Sequence, residues 1–148
     1  MTEIDFYTHV EDHQRVACQL VLKARERNLK VLILVDDEDQ LRRLDDYLWS
    51  FQAQSFVPHC RMDDPLAADT PVLLAVDTEN ACPHTELLVN LRNTTPPGFA
   101  RFQRLLEVVS TDAQDRALAR ERFKCYRDRG YALRTHDLGA TRATPAAR

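Results

Sequence analysis

Glycine is scarce in this chain, and its scarcity excludes the commonest nucleotide-binding loops. The 148 residues contain three glycines, Gly98, Gly130 and Gly139, and they are far apart. A dinucleotide-binding fingerprint and a phosphate-binding loop each need several glycines at one strand-to-helix turn, because the backbone must approach phosphate closely there. Neither kind of loop can form in this sequence.

Closely spaced cysteines are also missing. The four cysteines form no C-x-x-C pair and are widely separated: Cys18, Cys60, Cys82 and Cys125. Two of them have a histidine nearby, in His59-Cys60 and Cys82-Pro83-His84, but neither spacing matches a standard zinc-ligand pattern. We therefore expect free thiols and surface imidazoles, with no bound metal and no other cofactor.

Membrane-spanning segments and catalytic signatures are absent from the sequence as well. No apolar run reaches transmembrane length. The acidic start M-T-E-I-D-F lacks the apolar core of a signal peptide, so we expect a cytoplasmic protein that does not enter a membrane. Because no nucleophile elbow or local catalytic motif is present, we predict no catalytic residue and no enzyme activity.

Positive charge is concentrated in one part of the chain. The net charge is −3, and it divides into −7 for residues 1–110, +3 for residues 111–135 and +1 for the remainder. Broad nucleic-acid binding needs a large basic surface, so direct binding to DNA is disfavoured. An acidic protein with one small basic region suits an acidic ligand instead.

The basic region, residues 112–131, is predicted to be a helix. Asp112 and Asp115 stand at its start and Gly130 just after its end, as the helix dipole and a left-handed C-cap favour. At about 100° per residue, four side chains fall within a band of roughly 60°, namely Arg116, Arg120, Phe123 and Arg127. Guanidinium groups beside a ring suit a carboxylate-rich ligand with an aromatic end. The alternative is an ordinary solvated helix face.

Apolar runs alternate with amphipathic segments along the rest of the chain. Ile4, Phe6, Thr8 and Val10 alternate with other residues, which predicts a first strand with one solvent-facing side. A helix capped by Asp12 should follow. Buried strands are predicted at 30–35, 71–76, 86–91 and 104–109, with a short last strand at 131–133. The pattern predicts one α/β sandwich over residues 1–138, with a largely parallel sheet and helices on both faces, and a flexible tail at 139–148.

A second helix is predicted over residues 36–51, with an apolar stripe formed by Leu41, Leu44, Leu48 and Phe51. Two features of this helix leave alternatives open. Asp36 and Asp37 begin this helix and could hold Mg²⁺, but an acidic first turn more commonly acts as a cap. Trp49 lies about 120° from the centre of the apolar stripe. Its indole therefore either packs on a neighbouring element or is offered to a partner.

Several short motifs follow one another over nearly the whole length of the chain. They are F-Y near the N-terminus, K-V-L-I-L-V-D-D-E-D-Q, R-L-D-D-Y-L-W, S-F-V-P-H, L-L-V-N-L-R-N, E-V-V and A-R-E-R-F-K-C-Y-R-D-R-G-Y. In this order and spacing they resemble the chi subunit family of bacterial DNA polymerase III holoenzyme. The resemblance implies a non-catalytic adaptor with a Rossmann-like fold that has lost nucleotide binding.

The resemblance also implies two protein partners. Members of the family pair one to one with the psi subunit, which tethers them to the clamp loader, and bind the acidic C-terminal tail of single-stranded-DNA-binding protein. By position, the tail-binding residues are Trp49, Arg120 and Phe123, with Arg116 one turn earlier; Phe123 replaces a tyrosine of the family pattern. The psi-facing residues are Phe56, Val57 and Pro58. A helicase is implied as a competitor for the psi-facing surface.

Two other classes of function stay open from the sequence. One is an enzyme on a degenerate nucleotide-binding fold that uses Asp36, Asp37 or Cys60, for which thermal stabilisation by nucleotide would be the sign. The other is direct DNA binding through the basic helix, which the net charge of −3 disfavours. The adaptor hypothesis further predicts association with the replisome on the bacterial nucleoid.

Overall fold

The structure, a computed structural model, describes residues 1–50, 57–77 and 82–138. Within these residues lie seven strands, β1 (Glu3–Val10), β2 (Val31–Leu34), β3 (His59–Arg61), β4 (Val72–Ala75), β5 (Leu87–Asn90), β6 (Arg104–Ser110) and β7 (Ala132–Asp137). The helices are α1 (His13–Glu26), α2 (Glu38–Ser50) and α3 (Ala113–Asp128). The predictions for Phe56 and for the tail at 139–148 lie outside the described residues.

The strands form one parallel sheet in the order β3-β4-β2-β5-β6-β1-β7. Strands β2, β4 and β5 are buried at every position, as their unbroken apolar runs predict. β3 was not predicted, because its sequence H-C-R is short and polar, as suits an edge strand. The predicted α/β sandwich with a parallel sheet is confirmed.

The two faces of the sheet are covered by different helices. Alternate side chains of β2 point to opposite faces of the sheet. Val31 and Ile33 pack with α1 and α2, whereas Leu32 and Leu34 belong to the core on the α3 side. Two short 3₁₀ turns, Ala67–Asp69 and Phe99–Arg101, complete the second face. Helices α2 and α3 therefore lie on opposite sides of the sheet.

Acidic caps begin the helices where the sequence predicts them. The Asp12 carboxylate accepts hydrogen bonds from the first-turn amides of α1, and the Asp112 carboxylate accepts one from the amide of Asp115 at 3.1 Å. Asp37 accepts from the amide of Gln40 at 2.8 Å, which is the capping role preferred over a magnesium site. After α3, Gly130 has a φ of 88°, as a left-handed C-cap requires.

The alternation predicted for β1 is wrong at its C-terminal end. Ile4 and Phe6 pack on the α3 side, but Val10 packs on the α1 side. The register with β6 is irregular between Tyr7 and Val10, and His9 within this interval has a φ of 57°. A β-bulge adds one residue to a strand and so exchanges the faces of the residues after it. The solvent-facing side predicted along β1 is also wrong, because Asp5 is buried and Tyr7 and His9 are partly buried.

The histidines next to the cysteines are not surface residues as predicted. His59 and His84 are buried, and each ring has a nitrogen within hydrogen-bond distance of a backbone carbonyl, which offsets the cost of burying a polar side chain. His59 Nδ1 lies 2.6 Å from the Val57 carbonyl oxygen, and His84 Nε2 lies 2.7 Å from that of Thr70. The four cysteines are free thiols, as predicted. Among the described residues, no group of three His, Cys, Asp or Glu side chains could hold a metal ion, and no helix could cross a membrane.

Candidate functional site

A buried ion pair anchors α3 to the sheet. Arg122 of α3 is 6% exposed, and Glu107 of β6 is fully buried. The Arg122 guanidinium donates to both carboxylate oxygens of Glu107, from Nη2 at 3.1 Å and from Nε at 3.2 Å. Its third nitrogen, Nη1, donates to the backbone carbonyl of Asn93 at 2.7 Å. Tyr126 and Asn90 donate to the same carboxylate at 2.7 and 2.8 Å. We call Asn90, Glu107, Arg122 and Tyr126 the Glu107 network.

The Glu107 network fixes geometry more than it adds stability. Complete burial raises the pKa of Glu107, against the effect of Arg122 and the other hydrogen bonds. Burial and the neighbouring carboxylate raise the pKa of Tyr126, so its hydroxyl remains a donor. A buried ion pair loses much hydration energy on folding, and its net gain is small even when every hydrogen bond is made. Its bidentate geometry nevertheless holds the Arg122 side of α3 toward β6.

This orientation decides which α3 residues face solvent. Arg122 and Tyr126 are four residues apart and turn one side of the helix toward the sheet. Ala119, also buried, has a small side chain that lets the helix approach β6 closely. Arg116 and Arg120 consequently stand on the exposed rim of a pocket.

The pocket lies between α3 and the strands β1, β6 and β7, and has a volume of about 240 Å³. We call it the α3 pocket. It is lined by Phe6, Thr8, His9, Val109, Arg116, Ala119, Arg120, Phe123 and Thr135. This volume is below the range of about 300–1,000 Å³ typical of small-molecule sites, so the pocket suits a single anchoring side chain.

The α3 pocket combines an apolar floor with a cationic rim. Phe123 is half-buried, and its ring meets that of Phe6 edge to face with centroids 5.3 Å apart. Arg116 and Arg120 are exposed, and neither forms an ion pair with any described residue. Among the described residues that line the pocket, none is acidic. The arrangement can hold an apolar or aromatic group with carboxylates beside it.

Three of the five residues predicted for the basic site come together here. Arg116, Arg120 and Phe123 line the α3 pocket, as their shared helix face predicts. Arg127 lies on the exposed part of α3 but does not line the pocket. Its Nε is 3.7 Å from Asp128 Oδ1.

The fifth predicted residue, Trp49, lies elsewhere. It is near the end of α2, on the opposite face of the sheet from α3. The residue is 56% exposed, and its ring packs against the ring of His59 in β3, with centroids 4.7 Å apart. β3 and β1 are separated by five strand spacings in the sheet, which is roughly 24 Å. Trp49 and the α3 pocket are therefore separate surfaces.

Trp49 instead adjoins the residues predicted to face the psi subunit. Val57 is buried and Pro58 is exposed, and both directly precede β3. His59 Nε2 lies 3.0 Å from Asp45 Oδ1, so the His59 ring contacts both Asp45 and Trp49 of α2. We call this region, Trp49 with Val57, Pro58 and His59, the β3 surface.

Sequence reasoning missed the β-strand wall of the α3 pocket and the Glu107 network. Thr8, His9 and Thr135 belong to the pocket because β1 and β7 pair in register, which no local pattern reveals. Glu107 did leave a signal, since it is the single acid in the apolar strand R-L-L-E-V-V. A buried acid needs a partner, and Arg122 on the buried side of α3 supplies it.

The residues suggested for an enzyme have structural roles. Asp36 lies 3.9 Å from Arg92, and partial burial raises its pKa, while Asp37 caps α2. Cys60 is half-buried against the core on the α3 side. These positions are explained by packing and capping.

Comparison with known proteins identifies the family. The family model described as DNA polymerase III chi subunit, HolC, matches residues 1–134. The chain is 35% identical over 142 residues to "DNA polymerase III subunit chi" of Pseudomonas aeruginosa, covering 93% of this chain and 98% of the relative. It is 31% identical over 134 residues to the protein of the same name from Escherichia coli, covering 90% and 89%. The chain therefore belongs to the DNA polymerase III chi subunit family, which comprises accessory subunits of DNA replication and not catalytic ones.

Proposed function

We propose that this protein is an adaptor that links the clamp loader, through the psi subunit, to single-stranded-DNA-binding protein. The α3 pocket receives the acidic C-terminal tail of single-stranded-DNA-binding protein, and the β3 surface binds psi. The observation that carries the proposal is the separation of the two surfaces, which lie on opposite faces and near opposite edges of the sheet. Both partners can therefore be bound at once.

The chemistry of the α3 pocket matches an acidic tail with an aromatic end. The terminal ring packs on the apolar floor beside Phe6 and Phe123. The terminal and side-chain carboxylates accept charge-assisted hydrogen bonds from Arg116 and Arg120, as in other cases of C-terminal capture. Because both guanidiniums are exposed, the binding weakens as salt rises.

The β3 surface suits a stable protein partner. Trp49 is a large, exposed apolar side chain next to a short edge strand, and tryptophan is enriched among residues that dominate binding energy. We therefore assign Trp49 to the psi-facing surface, with Val57 and Pro58, and not to the tail site. The adjacent Phe56 is proposed for the same interface from its position in the sequence. A helicase that contacts this surface would compete with psi.

Trp49→Ala is expected to separate the two activities. It should weaken psi binding by about tenfold, since an interface tryptophan is lost, and leave tail binding unchanged within about twofold. Isothermal titration calorimetry of the purified chain with psi and with the tail peptide measures both affinities. Arg120→Ala is the reciprocal control, which should lose the tail and keep psi.

A folded Trp49→Ala variant that loses tail binding would contradict the assignment of Trp49. The adaptor itself is tested by titrating the tail peptide into the complex with psi. Equal tail affinities of the free chain and of the complex support independent surfaces. If psi prevents tail binding, the chain does not bridge the two partners.

A further inference from the structure

We infer that the acidic tail of single-stranded-DNA-binding protein continues from the α3 pocket around the edge of the sheet, where its upstream carboxylates bind a second cationic site on the other face. The inference rests on the proposed function of the α3 pocket. It adds an interaction surface to which α3 contributes no residue, and it assigns that surface one occupant.

The second site is a cleft between the end of α1 and the strands β5, β6, β1 and β7, with a volume of about 540 Å³. We call it the α1 cleft. Leu20, Ala24 and Leu106 line it and belong to the core on the α1 side of the sheet. Four basic and two acidic side chains also line it, namely Lys23, Arg27, Arg104, Arg134, Asp5 and Glu26. The cleft therefore has an excess of positive charge, although the whole chain carries −3.

Two of the four cations are already paired, and two are free. Arg104 Nη2 donates to Asp5 Oδ2 at 3.0 Å, and Arg134 Nε lies 3.4 Å from Asp5 Oδ1. Lys23 and Arg27, at the end of α1, are exposed, and neither forms an ion pair with any described residue. The dipole of α1 favours cations at this end. Their donors remain open to ligand carboxylates as well.

The α3 pocket and the α1 cleft share strand β7. Among the described residues, β7 is an edge strand that pairs only with β1. Thr135 lines the α3 pocket, whereas its neighbours Arg134 and His136 line the α1 cleft. Successive side chains of a strand point to opposite faces of the sheet, so the two sites lie back to back across β7. A peptide that leaves the α3 pocket reaches the α1 cleft by passing around one strand edge.

The length of this path sets which part of the tail reaches the α1 cleft. One strand spacing on each face and the thickness of one layer add up to a path on the order of 20 Å. An extended chain covers about 3.3–3.6 Å per residue, so about six residues span it. Carboxylates beyond roughly the sixth residue from the aromatic end therefore reach Lys23 and Arg27. Because the α3 pocket already holds the peptide, this second contact is intramolecular and adds affinity.

Calorimetry of the full chain at low salt with three peptides from the C-terminus of single-stranded-DNA-binding protein tests the inference. The short peptide has about the last six residues and the long one about the last twelve, as the path length requires. The third is the long peptide with every upstream Asp and Glu replaced by Asn and Gln. Wild type should bind the long peptide about fivefold more tightly than either of the others, because two exposed charge pairs form. In the double variant Lys23→Ala with Arg27→Ala, the gain should fall below about twofold, and the short peptide should bind as in wild type.

A matched variant and the short peptide separate the outcomes. Arg42→Ala with Arg43→Ala removes the same charge from exposed sites of α2 and should keep the gain. If this variant also loses the gain, or if Lys23→Ala with Arg27→Ala keeps it, the α1 cleft does not bind the tail. Equal binding of all three peptides to wild type, with all binding abolished by Arg120→Ala, would overturn the inference and leave the tail site intact. If no peptide binds saturably to wild type, both proposals are overturned.

Discussion

Glu107→Ala is expected to lower the free energy of unfolding by about 3–5 kcal/mol, because it leaves the Arg122 charge buried without its partner. The guanidinium would keep one hydrogen bond, to the Asn93 carbonyl, and Tyr126 would lose its acceptor. Urea denaturation monitored by circular dichroism measures the change. The same variant should also weaken tail binding, since the network sets the orientation of α3.

Two variants control the stability prediction. Glu121→Ala removes an exposed glutamate from the same helix and should change the stability by less than about 0.5 kcal/mol. Glu107→Leu combined with Arg122→Met removes both charges and should recover much of the loss, as replacement of whole buried pairs by apolar residues often does. A single Glu107→Ala variant as stable as wild type would show that the ion pair does not hold α3.

Arg120→Ala is expected to weaken tail binding by about 1.5–3 kcal/mol, which is roughly 10- to 150-fold. Arg120 stands on the rim of the α3 pocket, has no ion-pair partner among the described residues, and can direct its whole donor set to a ligand carboxylate. Titration with the tail peptide at two salt concentrations measures the effect. The difference between variant and wild type should shrink at high salt.

Two other arginines provide matched controls for Arg120. Arg43→Ala makes the same change in net charge on an exposed site of α2, across the sheet, and should leave tail affinity nearly unchanged. Arg127→Ala lies on α3 itself but outside the pocket, beside Asp128, and should cost less than Arg120→Ala. Equal losses from Arg43 and Arg120 would mean that only net charge attracts the tail.

Local patterns were enough to predict most of the sheet and the three helices. The short run K-V-L-I-L-V, rich in branched residues, indicated a strand buried on both faces, and acidic residues before α1 and α3 marked their caps. These signals are local because backbone conformation and burial repeat over a few residues. β3 was not predicted because its strand conformation depends on pairing with β4 and not on a local pattern in its own three residues.

The α3 pocket was predictable only in part, because one of its walls is formed by strands that are far apart in the sequence and pair in the sheet. The helical repeat alone places Arg116, Arg120 and Phe123 on one face, and all three line the pocket. It could not show that β1 contributes His9, since the bulge has no glycine to mark it. Trp49 joined the tail-binding set through family resemblance, and its place on α2 puts it on the other side of the sheet.

The pairing of β1 has a consequence for synthesis of the chain on the ribosome. β1 is translated first, but its partners are β6 and β7, and Glu3 pairs with Arg104 and Ala132. Until β7 has been translated, β1 lacks one of its two partner strands, and such long-range pairing forms slowly. The α3 pocket needs β1 and β7 together, so a prematurely terminated chain cannot assemble it. In this fold, a complete α3 pocket therefore reports that translation has reached the last strand.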